Sequence, residues 1–210
     1  MTPVLLHSCC APCSAAVIEW MLANDFTPTV YYYNPNIFPL EEYEKRKGEL
    51  NRYCRNLGLT VIDGDWDHAS WRRAVQGLEL EPERGRRCQV CFNLRLAAAA
   101  RKCHELHLGR FATTLASSRW KDLKQVDAAG FAAAEQFDDV VYWDKNWRKN
   151  GLQDRRNILI HENHFYNQLW CGCEFSMAGL AERERRAAAR TGGLHARSDH
   201  FNESSADELS

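Results

Sequence analysis

Residues 4–14 read Val-Leu-Leu-His-Ser-Cys-Cys-Ala-Pro-Cys-Ser, and this stretch decides the fold of the chain. Its first four residues form a short apolar run, which is typical of a buried parallel strand. Ser14 is a suitable N-cap, and the helix formers of residues 15–23 follow it directly. The β-branched and aromatic run at residues 27–33 then predicts a second strand. The chain therefore opens with a predicted strand–helix–strand unit whose first strand ends in a cysteine loop.

The same alternation continues along the sequence. Further strands are predicted at residues 59–62, 111–115 and 140–142, and helices at residues 40–57, 71–83, 92–108 and 121–137. Strands that alternate with helices of this length indicate an α/β fold, a parallel Rossmann-like sheet with helices on both faces. The composition turns polar and charged near residue 180. We therefore predict a catalytic α/β domain over residues 1–180 and a disordered C-terminal tail over residues 181–210.

The overall composition excludes several classes of protein. The 210 residues are 45% hydrophobic with a formal net charge of −1, which excludes collagen, extended disorder and a polycation. No window approaches the roughly 18–20 apolar residues of a membrane span, and no basic region precedes the short apolar stretch at the amino terminus. We therefore expect a soluble, cytoplasmic protein without a membrane partner.

The balanced net charge hides a segregation along the chain. Residues 84–156 carry 15 Lys and Arg against 8 Asp and Glu, whereas residues 1–83 carry 7 against 12. This pattern fits two interpretations, namely scattered charge on solvated helices and a surface that binds an anionic partner.

Nine cysteines are unusual for a chain expected in a reducing compartment, where such enrichment indicates metal or redox chemistry. Six of them form close pairs: Cys9, Cys10, Cys88, Cys91, Cys171 and Cys173. With Cys13 they exceed the four ligands of one tetrahedral zinc site and suit an iron–sulfur cluster with ligands to spare. A zinc site that only pins the loop is the alternative. Cys54 and Cys103 stand alone in helical patterns and are expected to be small buried side chains.

The position of the first cysteine loop also carries information. In an open α/β sheet, ligands collect beyond the carboxyl ends of the strands, and this loop joins the first strand to the first helix. A glycine-rich loop usually cradles phosphate there. Thiols occupy the position in this chain, so we expect a metal where related folds hold a nucleotide phosphate, and we do not expect ATP.

Taken together, the motifs resemble the cobalamin-independent epoxyqueuosine reductases of the QueH type. The resembling stretches include residues 7–14, 33–37, 87–96, 113–118 and 171–176, and they extend over nearly the whole predicted domain. The joint occurrence of CCAP, RCxxCFxxRL and CGCxFS in this order is specific. Some members of the family have Asp where this chain has Cys13, which is a departure near the expected metals.

The resemblance implies both a fold and a reaction. The implied fold is that of the adenine nucleotide alpha hydrolases, with a 4Fe-4S cluster and a second, mononuclear iron. The implied reaction is the two-electron reduction of epoxyqueuosine to queuosine at the wobble position of the tRNA anticodon loop, with an unidentified low-potential electron donor. Cys9, Cys10 and Cys13 are then expected to be catalytic. The six paired cysteines would divide between the two metal centres, in a way that their spacing leaves open.

An anticodon loop requires phosphate contacts and aromatic surfaces for splayed bases. The positive third of the chain offers both, and its best segment is residues 143–149, because a face with three cations is not expected to be buried. The predicted RNA-binding residues are Arg95, Lys145, Trp147, Arg148 and Lys149.

Two alternatives from other classes stay open. One is a non-catalytic RNA module that binds zinc or a cluster. The other is a thiol-disulfide oxidoreductase that uses residues 10–13 as its C-x-x-C motif, which follows a strand and precedes a helix as in such enzymes. The second alternative leaves the other four paired cysteines unexplained.

Overall fold

The structure is a computed structural model that describes residues 1–179 and Arg185. Its centre is a five-stranded parallel sheet, which confirms the predicted α/β class. The strands are β1 (Thr2–His7), β2 (Phe26–Tyr32), β3 (Val61–Asp63), β4 (Arg110–Thr113) and β5 (Val141–Tyr142). Their order across the sheet is β3-β2-β1-β4-β5. Apart from Arg185, the predicted tail at residues 181–210 lies outside the described residues.

Helices cover both faces of this sheet. They are α1 (Ala11–Ala23), α2 (Leu40–Asn56), α3 (His68–Ala74), α4 (Arg86–Glu105), α5 (Leu123–Ala134) and α6 (Leu152–Glu162). Helix α1 packs with α2 and α6, whereas α4 packs with α3 and α5. Since parallel crossovers are right-handed, the reversal of chain direction across the sheet after β3 places these two groups on opposite faces. None of the described helices combines the length and apolar character that a bilayer-spanning segment needs.

The apolar sequence of β1 suits its place at the centre of the sheet. Val4, Leu5 and Leu6 are fully buried, because β1 has neighbours on both edges and helices on both faces. Cys54 and Cys103 are also fully buried in the main core, as expected for isolated cysteines.

Three predicted helix boundaries differ from the structure by four residues or more. Helix α1 starts at Ala11 with Cys10 as its N-cap, so Ser14 lies inside the helix and donates to the carbonyl of Cys10 at 2.7 Å. Pro12 occurs in the first turn, where its missing N–H costs nothing. Helix α4 begins at Arg86 rather than 92, since its N-cap is a glycine that gives no side-chain signal. The predicted helix at residues 71–83 ends at Ala74 and continues as turns.

Helix α6 was not predicted at all. Its buried residues are only Leu152 and Leu159, so the sequence has no apolar stripe at helical spacing. The helix nevertheless matters for the site, because its first turns line the cavity described below.

The strand order fixes where a ligand can bind. The chain moves outward from β1 to β3 and then returns to the other side of β1 as β4, which is the reversal that opens a crevice in doubly wound sheets. The crevice lies beyond the carboxyl ends of β1 and β4. Both ends carry polar residues, and the loop after β1 carries the first cysteines.

A candidate metal centre at the carboxyl edge of the sheet

The first three cysteines form a compact group at the end of β1. The Sγ atoms of Cys9, Cys10 and Cys13 all lie within 4.8 Å of one another, and those of Cys9 and Cys10 are 3.8 Å apart. Thiolates bound to one tetrahedral ion at about 2.3 Å stand roughly 3.8 Å from each other. The spacing of the group therefore suits a single metal ion.

Side chains that follow β4, together with Gln168, hold these three cysteines in place. Thr114 accepts the Cys9 backbone N–H at 3.2 Å, and its hydroxyl lies 3.5 Å from the Cys9 sulfur. Gln168 donates from Nε2 to the Cys10 sulfur at 2.6 Å. The Ser117 hydroxyl lies 3.1 Å from the carbonyl oxygen of Cys13. Each of the three cysteines is thus held by an element distant in sequence.

His7, at the end of β1, is a buried neutral histidine that hydrogen-bonds to residues of the two neighbouring chain segments. Its Nδ1 lies 2.8 Å from the Thr113 hydroxyl, and its Nε2 lies 3.1 Å from the carbonyl oxygen of Tyr33. Burial, aided by the charge of Arg95, lowers the pKa of His7 to about 3. The ring is therefore neutral, donates from Nε2 to Tyr33 and accepts the Thr113 hydroxyl at Nδ1. It links β1 to both neighbouring strands.

The remaining paired cysteines converge on the same place. A cavity of about 600 Å³ is lined by Cys9, Cys13, Cys88, Cys171 and Cys173. Cys10 belongs to the compact group beside it, and Cys91 packs in a small apolar cluster with Cys173. All nine cysteines are free thiols. The structure thus gathers the six predicted metal ligands and Cys13 around one cavity.

The segment that carries Cys171 and Cys173 is fastened to helix α2. Arg46 donates to the carbonyl oxygens of Cys171 at 3.2 Å and Trp170 at 3.4 Å, and it forms a buried ion pair with Glu42 at 2.6 Å. Gly172 has φ +113°, and a side chain there would approach the Arg46 guanidinium to 2.9 Å. The glycine between the two cysteines is therefore required by geometry.

The lining of the cavity is strongly cationic. It contains two acids, Glu83 and Asp154, against seven cations: Arg46, Arg84, Arg87, Arg95, Arg119, Lys121 and Arg156. Burial lowers the pKa of Lys121, but the negative charge that the sulfurs of Cys171, Cys9 and Cys13 carry when they ionise outweighs burial and raises the pKa above its usual range. The lining therefore favours thiolates, which are the form that binds metals.

One thiol ionises most readily among Cys9, Cys10 and Cys13, and one does so in the pair of Cys171 and Cys173. Hydrogen bonds from Cys10 and then Cys13 hold the pKa of Cys9 well below its usual range, against the effect of burial. A hydrogen bond from Cys173 does the same for Cys171. Burial raises the pKa of Cys10 well above its usual range, so Cys9 loses its proton more readily than Cys10.

Arg95, one of the predicted RNA-binding residues, is buried beside the cysteines. This side chain is 1% exposed, donates to Asn34 Oδ1, and hydrogen-bonds to the thiol of Cys91. Its Nε is buried without a partner among the described residues. The guanidinium lines the cavity, so a contact between Arg95 and RNA would have to form inside the cavity. Its positive charge also lowers the pKa of Cys9 and of Cys171.

The segment at residues 143–149 is also arranged differently from the prediction. Trp147 is fully buried against Trp20, at 5.5 Å between ring centroids, so it offers no face on which a base can stack. Lys145 Nζ lies 3.7 Å from the Trp20 centroid and 5.4 Å from that of Trp147. Aromatic faces attract a cation, which is why the partly buried Lys145 packs against these rings although it is charged. Arg148 donates to the Lys121 carbonyl at 2.9 Å, and Lys149 is exposed.

Several residues of the site were missed from the sequence. Arg46 and Gln168 hold the sulfur groups, and Trp120 stands exposed at the rim of the cavity. The one signal for Trp120 was an aromatic residue between two cations, Arg119 and Lys121. Arg46 belongs to a stretch that resembles the family, but the sequence gives it no role and does not mark Gln168 at all, because the cysteine segments that they contact are more than 120 residues away.

Comparisons with known proteins identify one family that the chain resembles over most of its length. Residues 4–179 match the family model described as Epoxyqueuosine reductase QueH. The protein of that name from Haemophilus influenzae is 47% identical over 174 residues, which cover 83% of this chain and 71% of the relative. A relative from Acinetobacter baylyi with the same name is 41% identical over 83% of this chain and 80% of its own length. One from Thermotoga maritima is 33% identical over 89% of this chain and 95% of its own length.

Proposed function

Because the chain belongs to the epoxyqueuosine reductase QueH family, we propose that it reduces epoxyqueuosine to queuosine at the wobble position of tRNA. The reaction removes the epoxide oxygen as water, consumes two electrons and two protons, and leaves an alkene. The chain is thus an oxidoreductase of queuosine biosynthesis. Its proposed location is the cytoplasm, where a reducing environment preserves nine free thiols.

The observation that carries the proposed metal chemistry is the gathering of seven thiols at one cationic cavity, which five of them line and beside which Cys10 and Cys91 pack. A single zinc ion takes four ligands and leaves three of these thiols without a partner. We assign Cys9, Cys10 and Cys13 to the second iron, because their sulfurs stand at the spacing of ligands to one ion. Cys88, Cys91, Cys171 and Cys173 are assigned to a 4Fe-4S cluster, in which each thiolate binds a different iron.

When bound, the cluster supplies electrons one at a time, and the second iron supplies a Lewis acid for the epoxide oxygen. The protein contributes charge and shape around them. Lys121 places a positive charge beside Cys9 and Cys13, where the departing oxygen acquires negative charge. The cavity of about 600 Å³ is within the range of small-molecule sites, so it can admit a nucleoside and exclude most of the surrounding water.

The proposed partner is the anticodon loop of tRNA, together with a low-potential electron donor whose identity is open. The cations near the mouth of the cavity include Arg84, Arg119 and Arg156, and they provide phosphate contacts. RNA loops are recognised through splayed bases, which matches a reaction on one base inside a cavity.

The test is reconstitution under anaerobic conditions. We expect brown protein that absorbs near 400 nm, with roughly four irons and acid-labile sulfide for the cluster plus up to one further iron. With dithionite and a viologen, it should convert epoxyqueuosine in tRNA to queuosine, with two electrons per product and without ATP or cobalamin. About one zinc without sulfide would favour the non-catalytic module. If the protein is active without bound metal and loses this activity when only Cys10 and Cys13 are oxidised to a disulfide, the thiol-disulfide oxidoreductase would be favoured.

Single substitutions test the assignment of the ligands. Cys10→Ala should lose the second iron, keep the cluster and abolish turnover. Cys173→Ala should lose the sulfide together with most of the iron. Cys54→Ala is the matched control, since this buried thiol lies in the core, and it should keep both metals and full activity. Equal loss of sulfide in Cys10→Ala and Cys173→Ala would contradict the assignment.

A further inference from the structure

Trp120 is the most exposed aromatic side chain at the cavity that holds the thiols. Its indole is 69% exposed, and the residue lines the cavity together with Leu169, which is 72% exposed. Large apolar side chains that stand together at the mouth of a cavity mark binding sites more often than isolated exposed ones do.

The backbone beneath Trp120 is fixed although the indole is free. Arg84 donates from Nε to the Trp120 carbonyl at 2.9 Å and from Nη2 to the Arg119 carbonyl at 3.3 Å. Arg148 donates to the next carbonyl, that of Lys121, at 2.9 Å. Three consecutive carbonyls are thus anchored by two arginines from other segments. Such support fixes the backbone from which the indole projects, so the ring is presented at a defined place on the rim.

The surroundings of the ring indicate the chemistry of its partner. The Arg119 guanidinium lies 5.3 Å from the ring centroid, and Arg156 lines the same cavity with its guanidinium near Asn157 and Asn167. A purely apolar partner would bury these cations at a high cost in desolvation. A nucleic acid supplies both a flat base for the indole and phosphates for the guanidinium groups.

We propose that Trp120 is the platform on which the base next to the reacting nucleotide stacks, while Arg119 and Arg156 contact the neighbouring phosphates. The inference rests on the proposed function, because a nucleotide that enters the cavity leaves its neighbour at the rim. It assigns a role to Trp120 in place of Trp147, whose ring is buried.

The test measures the affinity for an unmodified anticodon stem-loop RNA by fluorescence anisotropy, so that binding is separated from chemistry. Trp120→Ala should weaken binding roughly 5- to 150-fold, the range expected for one base stacked on an aromatic ring. Trp120→Phe should keep most of the affinity, whereas Trp120→Leu should resemble Trp120→Ala because it lacks an aromatic face. Iron and sulfide content should stay at the wild-type level in all three variants.

Phe131→Ala is the matched control, since Phe131 is an exposed aromatic residue on helix α5 that does not line the cavity. It should bind the RNA like the wild type. Wild-type affinity in Trp120→Ala, or equal losses in the Phe and Leu variants, would overturn the inference. The two proposals can also fail separately. If RNA binding depends on Trp120 as expected but the wild-type protein reduces no epoxyqueuosine, the proposed function is refuted and the proposed stacking role of Trp120 is not.

Discussion

The ion pair of Arg46 and Glu42 allows a quantitative test of how the second cysteine segment is held. The two side chains are 3% and 9% exposed and meet at 2.6 Å. The same guanidinium donates to the carbonyls of Trp170 and Cys171. Arg46→Met removes the cation and leaves the Glu42 carboxylate buried without its charge partner. Breaking a buried pair in this way costs about 3–5 kcal/mol of the free energy of unfolding.

The same helix provides a matched control. Lys47 and Glu44 also form an ion pair, at 2.9 Å, but their side chains are 22% and 52% exposed. An exposed pair of this kind contributes at most about 0.5 kcal/mol. Lys47→Met should therefore change the free energy of unfolding by less than a fifth of the loss in Arg46→Met. The double variant with Glu42→Gln should recover part of that loss, because it removes the stranded charge.

Guanidinium unfolding of the metal-free, reduced chain, followed by tryptophan fluorescence, measures these free energies. Reconstituted Arg46→Met should also hold less iron and sulfide, because the backbone of Cys171 loses its anchor. If Arg46→Met is too unstable to measure, Arg46→Lys keeps the charge and should fall between the wild type and Arg46→Met. Equal effects of Arg46→Met and Lys47→Met would refute the reasoning.

Other substitutions probe the core and the basic segment. Cys103→Ala should cost less than about 1.5 kcal/mol in denaturant unfolding and leave iron content unchanged, because this buried thiol acts only in packing. Gly130→Ala should destabilise the chain in the same assay, since the new methyl would meet the Tyr142 ring at 2.5 Å and overpacking of about 1–3 kcal/mol exceeds a helix-propensity gain of about 1 kcal/mol. Lys149→Glu should weaken tRNA binding without loss of stability, because the side chain is exposed, and affinity measured against salt should show a shallower slope. Lys145→Glu should lower stability as well, because its ammonium group lies on the Trp20 ring.

The parts of the fold that the sequence predicts are those with a local signal. The apolar run of β1 and the β-branched run of β2 were predicted within about two residues of their observed bounds. Helix α6 escaped prediction because its packing depends on two leucines and on contacts with α1, which no local periodicity expresses. The start of α4 was missed for a similar reason, since a glycine N-cap carries no side-chain signal.

In the candidate site, too, the features with a local sequence signal could be predicted and the others could not. Cysteine pairing is a local pattern, so the candidate sulfur ligands could be named from the sequence, whereas their division between two groups depends on distances that only the fold sets. The sequence did not reveal that Trp147 and Arg95 are buried, because residue type does not distinguish an exposed ring or cation from one that packs against a partner distant in sequence. Lys145 lies against Trp20, and Arg95 against Asn34.

The most direct test of the central claim is mass spectrometry of nucleosides from the tRNA of cells that lack this protein and any other epoxyqueuosine reductase. The account predicts that epoxyqueuosine accumulates in those cells and that the wild-type gene restores queuosine, whereas a Cys10→Ala gene does not. Normal queuosine in the deletion cells, or full restoration by Cys10→Ala, would contradict it.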